Sequence, residues 1–170
     1  MAKKKKGLPK TMPMRVLEDK GIPYQPRQQS SKQYTAEGVA EDLGVPVAQV
    51  LKAMIVECSP PHERGKQFVL FVVPGDRRLS LKKVAAVLED KNARMASERD
   101  VQRVTGFQVG AVSVIGFRRD DVPGYVDQRV LDLAQVLISA GRPDVGLALS
   151  PSDMVRALDA AKVGDFCEDE

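Results

Sequence analysis

Lys52-Ala53-Met54-Ile55-Val56-Glu57 and Gln67-Phe68-Val69-Leu70-Phe71-Val72-Val73 are two β-rich runs, parted by Ser59-Pro60-Pro61-His62-Glu63-Arg64-Gly65. Branched and aromatic residues favour the pleated strand, and a Pro- and Gly-bearing interval ends one run before the next begins. The pair reads as antiparallel strands joined by an exposed loop. The second run is apolar at every position from Phe68 to Val73. That pattern suits a strand covered on both faces, so it predicts a sheet inside the molecule.

Working outward, downstream segments are punctuated by helix caps. Ser80 precedes Leu81, Val84, Ala85 and Leu88, spaced as one helix face running to about residue 90. Residues 93–96 read as a short strand, and Ser97 caps a helix through about residue 104, closed by Gly106. Residues 125–127, 136–139 and 145–149 read as further strands. Ser150-Pro151-Ser152-Asp153 places a cap, a first-turn proline and a first-turn acid before a helix to about residue 160, followed by the strand-like Lys162-Val163. Upstream, residues 12–20 predict a short helix stopped by Gly21 and Pro23, and residues 22–27 an extended segment. Thr35 caps a helix that ends at Gly44, and residues 47–51 form a further turn or two. Helices and strands mix without regular βαβ alternation. The expectation is a single α+β domain over residues 12–170, built on a mixed sheet.

With 170 residues, 43% hydrophobic and 29% charged, the chain can bury a core without metal or disulfide. Its longest purely apolar run has six residues, against about 20 for a bilayer span. The lysine-rich start is followed by Leu8-Pro9-Lys10-Thr11 where a signal peptide would carry its apolar region, so a cytoplasmic protein is expected. The formal charge of +3 is uneven: residues 1–11 hold five lysines and no acid, leaving the remainder net acidic. Those residues read as a flexible basic tail, either solubilising or attracted to phosphate backbones. Cys58 and Cys167 fit no disulfide framework, and one histidine, His62, supplies no usual zinc set, so no metal or cofactor is expected.

Elimination narrows the chemistry. His62 reads as a surface residue of the loop and Cys58 as a buried structural thiol with no histidine partner. Neither a G-x-S-x-G elbow nor a P-loop nor an H-E-x-x-H pair occurs. An enzyme of this composition works through positioning and electrostatics, using lysine, hydroxyls and main-chain amides. Lys52 begins an apolar strand on the face of Met54 and Val56, where it either snorkels to solvent or lines a cavity holding an anion or ester. Glycines 106, 110 and 116 either make simple turns or let amides approach a ligand.

Five segments then fall in register with a known pattern. They are Leu51-Lys52-Ala53-Met54-Ile55-Val56, Leu79-Ser80-Leu81-Lys82-Lys83, Thr105-Gly106-Phe107-Gln108-Val109-Gly110-Ala111-Val112-Ser113, Ile138-Ser139-Ala140-Gly141-Arg142, and Leu149-Ser150-Pro151-Ser152-Asp153-Met154. Together they resemble the YbaK/ProX family of trans-editing aminoacyl-tRNA deacylases, relatives of the prolyl-tRNA synthetase editing domain. The resemblance implies a compact α+β fold with a barrel-like mixed sheet flanked by helices. It also implies hydrolysis of the ester on a mischarged tRNA, with Cys-tRNA(Pro) foremost and prolyl-tRNA synthetase a conceivable partner. It assigns Lys52 to the terminal adenosine or its phosphate and to charge stabilisation. Gly110, with Ala111, Val112 and Ser113, becomes an amide row polarising the ester carbonyl, and Ser139 a substrate contact. In the cysteine branch the substrate's own thiol attacks; elsewhere a water does. Ala53, Ala111, Val114 and Gly146 stand where the family usually has threonine, glycine, proline and aspartate. These departures admit a second expectation, a non-catalytic module that binds tRNA or a synthetase.

Overall fold

The computed structural model describes residues 9–30, 35–59 and 65–169. His62 and the first eight residues of the lysine-rich start therefore lie outside the described residues. Of the rest of that start, Thr11 caps the first helix and Lys10 pairs with Glu18.

The elements run α1 (Met12–Asp19), β1 (Gln25–Gln28), α2 (Ala36–Leu43), a 3-10 turn (Val47–Gln49), β2 (Lys52–Glu57), β3 (Phe68–Val73), α3 (Leu81–Leu88), β4 (Arg94–Met95) and α4 (Glu98–Thr105). There follow β5 (Gly124–Asp127), a second 3-10 turn (Gln128–Asp132), β6 (Val136–Arg142), β7 (Val145–Leu149), α5 (Pro151–Ala157) and β8 (Lys162–Gly164). Hydroxyls of Thr11, Thr35, Ser80, Ser97 and Ser150 each accept an amide of the first helical turn, satisfying donors with no intrahelical partner.

β2 and β3 pair antiparallel from Lys52–Val73 to Glu57–Phe68, as expected from their composition. β3 lies inside a five-stranded sheet of order β4-β2-β3-β5-β8, with β5 and β8 added in parallel. All six β3 residues are buried. Their alternation splits them between two apolar clusters: Phe68, Leu70 and Val72 enter the main core, and Val69, Phe71 and Val73 pack on the far face with Val84 of α3, Phe166 and Cys167.

The remaining strands form a separate three-stranded antiparallel sheet, β1-β7-β6. The expected mixed sheet is thus two open sheets, and among the described residues no barrel closes. They meet where the Leu51 amide donates to the Leu137 carbonyl (2.9 Å), beside a parallel bridge between Val50 and Leu137. These residues stand 86 or more positions apart, so no local pattern announces the junction.

Candidate active site

Beside that junction lies a cavity of about 450 Å³. The start of β2 supplies Leu51, Lys52, Ala53 and Met54 to its wall, and β6 supplies Leu137, Ile138 and Ser139. Gly146 of β7, Gln29, the first turns of α2 and α4, and Val109, Gly110 and Val112 of the α4–β5 loop complete it. The wall is mainly apolar. Among the described residues its charged members are Lys52 and Glu98, the latter exposed at the rim.

Lys52 is half-buried, and its ammonium donates to the main-chain carbonyl of Arg77 in the β3–α3 connection. A carbonyl partner holds the side chain without neutralising it, so the cation remains available to a phosphate or a developing negative charge. The strand geometry places Met54 and Val56 with the α3-side cluster, and at the sheet junction Lys52 and Met54 also border the cavity.

The glycine loop is stitched to β6. Ser139 donates its hydroxyl to the Ala111 carbonyl (2.9 Å) and accepts the Gly141 amide (3.0 Å). Ser113 donates to the Ser139 carbonyl (2.5 Å), and Phe107 packs against Gly141. Gly110 sits at φ +83°, in the left-handed region that closes the turn in which the Ala111 amide bonds the Gln108 carbonyl (2.9 Å). The Ala111 amide is therefore spent. The Gly110 and Val112 amides have no hydrogen-bond partner among the described residues.

Of the residues singled out from sequence, Lys52, Gly110, Val112 and Ser139 converge on this one cavity. Ala111 and Ser113 are buried beside it and do not line it, so their visible work is to fix the loop. Gly146 and Ala53 line the cavity, while Val114 is part of the main core. Gln29 and Glu98 were not legible as site residues. One follows an edge strand in a polar run, and the other looks like an ordinary first-turn acid. The Gln29 side chain donates to the Pro143 carbonyl (3.1 Å), and its Oε1 is buried without a partner.

No group of metal-ligating side chains occurs among the described residues. Both hydroxyls on the wall are engaged: Thr35 caps α2, and Ser139 holds the loop. Cys58 is only half-buried, not buried as expected, and lies off the cavity with its thiol pushed up by burial and by the Asp90 and Glu57 carboxylates. Among the described residues the cavity offers one cation, two amides without a partner and an apolar enclosure. Such a set is chemically suited to hold and polarise a carbonyl group, and it includes no free nucleophile among the described residues.

Residues 30–157 match the model of the aminoacyl-tRNA editing domain. A protein of Enterococcus faecalis, EbsC, named as a candidate Cys-tRNA(Pro)/Cys-tRNA(Cys) deacylase, is 30% identical over 97% of this chain and 96% of its own. The proline–tRNA ligase of Desulforamulus reducens is 30% identical over 78% of this chain, which corresponds to 23% of the ligase. A solved structure described as a candidate trans-editing enzyme for prolyl-tRNA synthetase superposes with a TM-score of 0.79 at 27% identity, covering 93% of this chain and 96% of that one.

Proposed function

The chain belongs to the aminoacyl-tRNA editing domain family, and on that premise we propose that it hydrolyses, in trans, the ester linking a wrong amino acid to the 3′ end of tRNA. Cys-tRNA(Pro) is the foremost substrate, after the name carried by a relative similar along nearly its whole length. The observation that carries the reading is the convergence of Lys52 with the open amides of Gly110 and Val112 on one cavity.

In this reading the two amides receive the ester carbonyl oxygen and strengthen their bonds as it gains charge. An oxyanion donor of this kind is worth about 10²–10³ in rate. Lys52 holds the terminal adenosine or its phosphate and offsets developing charge. The apolar wall excludes bulk water and so sharpens each electrostatic contact. The attacking atom comes from outside the protein: the substrate's thiol closing on its own carbonyl, or a bound water. As the acyl C–O bond breaks, the departing ribose oxygen takes up the proton that the attacking thiol or water gives up. With tRNA as substrate, the reading expects a cytoplasmic protein, and prolyl-tRNA synthetase is the partner that would hand over the mischarged product.

Incubating the protein with tRNAs charged with cysteine, alanine, serine and proline tests this. Release of the amino acid from Cys-tRNA(Pro), well above the spontaneous rate, is expected. Binding without release from any of the four would make the chain a non-catalytic module instead.

A further inference from the structure

The carbonyl that receives Lys52 belongs to a connection held at both ends. On one side, Gly75 lies so close to the Val47 and Val50 carbonyls that a Cβ there would stand 2.3 Å from each, and its amide faces the Ala48 carbonyl at 3.4 Å. On the other side, the C-terminal segment forms a short antiparallel zipper with residues 78–80. Ser80 donates to the Phe166 carbonyl (2.8 Å), Glu168 donates to the Arg78 carbonyl (2.8 Å), and Leu79 pairs with Cys167 between them. Arg77 is the residue immediately before this zipper.

The segment is itself anchored well beyond what an exposed chain end needs. The Phe166 ring meets Phe71 and Tyr125 at centroid distances of 5.2 and 5.6 Å. The fully buried Asp127 carboxylate accepts the Phe166 amide (2.8 Å) and bonds the Cys167 thiol. Lys83 bonds Asp165 (2.9 Å), Asp169 (2.9 Å) and the Cys167 carbonyl (2.7 Å), and Arg129 reaches Asp165 (3.0 Å). These contacts fix residues 165–169 against β3, β5 and α3, and through the zipper they fix the connection that carries the Arg77 carbonyl.

We propose that the C-terminal segment, residues 165–169, is a positioning element that holds the Arg77 carbonyl and thereby sets where the Lys52 ammonium points. A lysine has several rotatable bonds and loses its single geometry when its acceptor moves. Displacements of about 1 Å in a reacting group cost up to 10²-fold in rate. The inference rests on the reading of Lys52 as a catalytic residue, and it adds a part of the chain far from the cavity to the machinery.

Two variants of the full chain test it. Glu168→Pro removes one zipper donor, together with only an exposed side chain, and Lys83→Met removes the ion pairs while leaving the zipper's main-chain bonds in place. Trace acylation with acetic anhydride, read by mass spectrometry, reports how accessible the Lys52 amine is, with Lys20 as internal reference. Lys52 labelling is expected to rise severalfold relative to Lys20. The single-turnover rate on Cys-tRNA(Pro) should fall about tenfold, and Lys52→Ala should abolish the difference between Glu168→Pro and wild type. Wild-type Lys52 labelling in both variants overturns the proposal, including when the melting temperature has fallen, since that is what a purely structural segment gives. If the wild type cleaves no aminoacyl-tRNA, the catalytic reading of Lys52 fails, and the labelling ratio still decides the positioning. Should Glu168→Pro not fold, Lys83→Met carries the decision.

Discussion

Gln29 carries the one buried side-chain polar atom without a hydrogen-bond partner among the described residues, and it does so in the cavity wall. A buried acceptor left unmet costs about 1–3 kcal/mol. Gly146, across from Ser139 in the β6–β7 ladder, would place a Cβ 3.5 Å from that Oε1, an ordinary contact distance. A serine hydroxyl built there reaches the orphaned oxygen, and replacing a strand glycine also lowers the entropy of the unfolded chain. Gly146→Ser is expected to raise unfolding free energy by about 1 kcal/mol in urea titration; equal or lower stability would contradict the account of Gln29. The chemistry of single residues was partly legible. Lys52 stood out as a cation opening an apolar strand, but its carbonyl partner is 25 positions away and left no trace in the sequence. Cys167 sits in an acidic terminus yet is fully buried, its thiol pushed up to about 12 by burial foremost and by the Asp127 carboxylate.

At the scale of elements, the α4–β5 loop decides whether the two amides face the cavity. Its conformation depends on Gly110 in the left-handed region, where a side chain costs about 1–2 kcal/mol. Gly110→Ala is therefore expected to slow deacylation at least tenfold while lowering stability by no more than that strain, read by single-turnover kinetics beside thermal melting. A wild-type rate would show that the loop does not present the ester-binding donors. Local elements were the most legible part of the chain. The caps at Thr35, Ser80, Ser97 and Ser150 and the β2–β3 pair follow from adjacent residues and stand where expected. The division into two sheets was not legible, because it turns on a hydrogen bond between Leu51 and Leu137. The cavity shares that origin: its wall comes from several segments that only the tertiary fold assembles.

At the scale of the whole molecule, four buried carboxylates among the described residues are held below their ordinary range by their surroundings, Asp90 by the hydroxyl and amide of Ser59. Burial pushes Glu57 up, but hydrogen bonds from Lys66 and Arg94 outweigh it and hold the group below its ordinary range. Asp100 is lowered first by Lys66, against a smaller effect of burial. In Asp127 burial is the largest single influence, yet the amides of Phe166 and Arg129, the Cys167 thiol and the Arg129 guanidinium together leave it lowered. A depressed folded value means that the stabilisation is present above the unfolded value of about 4 and fades as pH falls through the folded one. Melting temperature should thus hold from neutrality to about pH 5 and fall steeply below pH 4. Glu57→Gln should flatten part of that fall, and an unchanged slope would remove Glu57 from the explanation.

These charges are structural and lie off the cavity wall, leaving Lys52 as its cation among the described residues. The most direct measurement of the central claim is the single-turnover hydrolysis of Cys-tRNA(Pro) by wild type and by Lys52→Ala, with melting temperature recorded on the same samples. The account predicts at least a hundredfold loss of rate with an unchanged melt. Undiminished hydrolysis by a folded Lys52→Ala protein would contradict it.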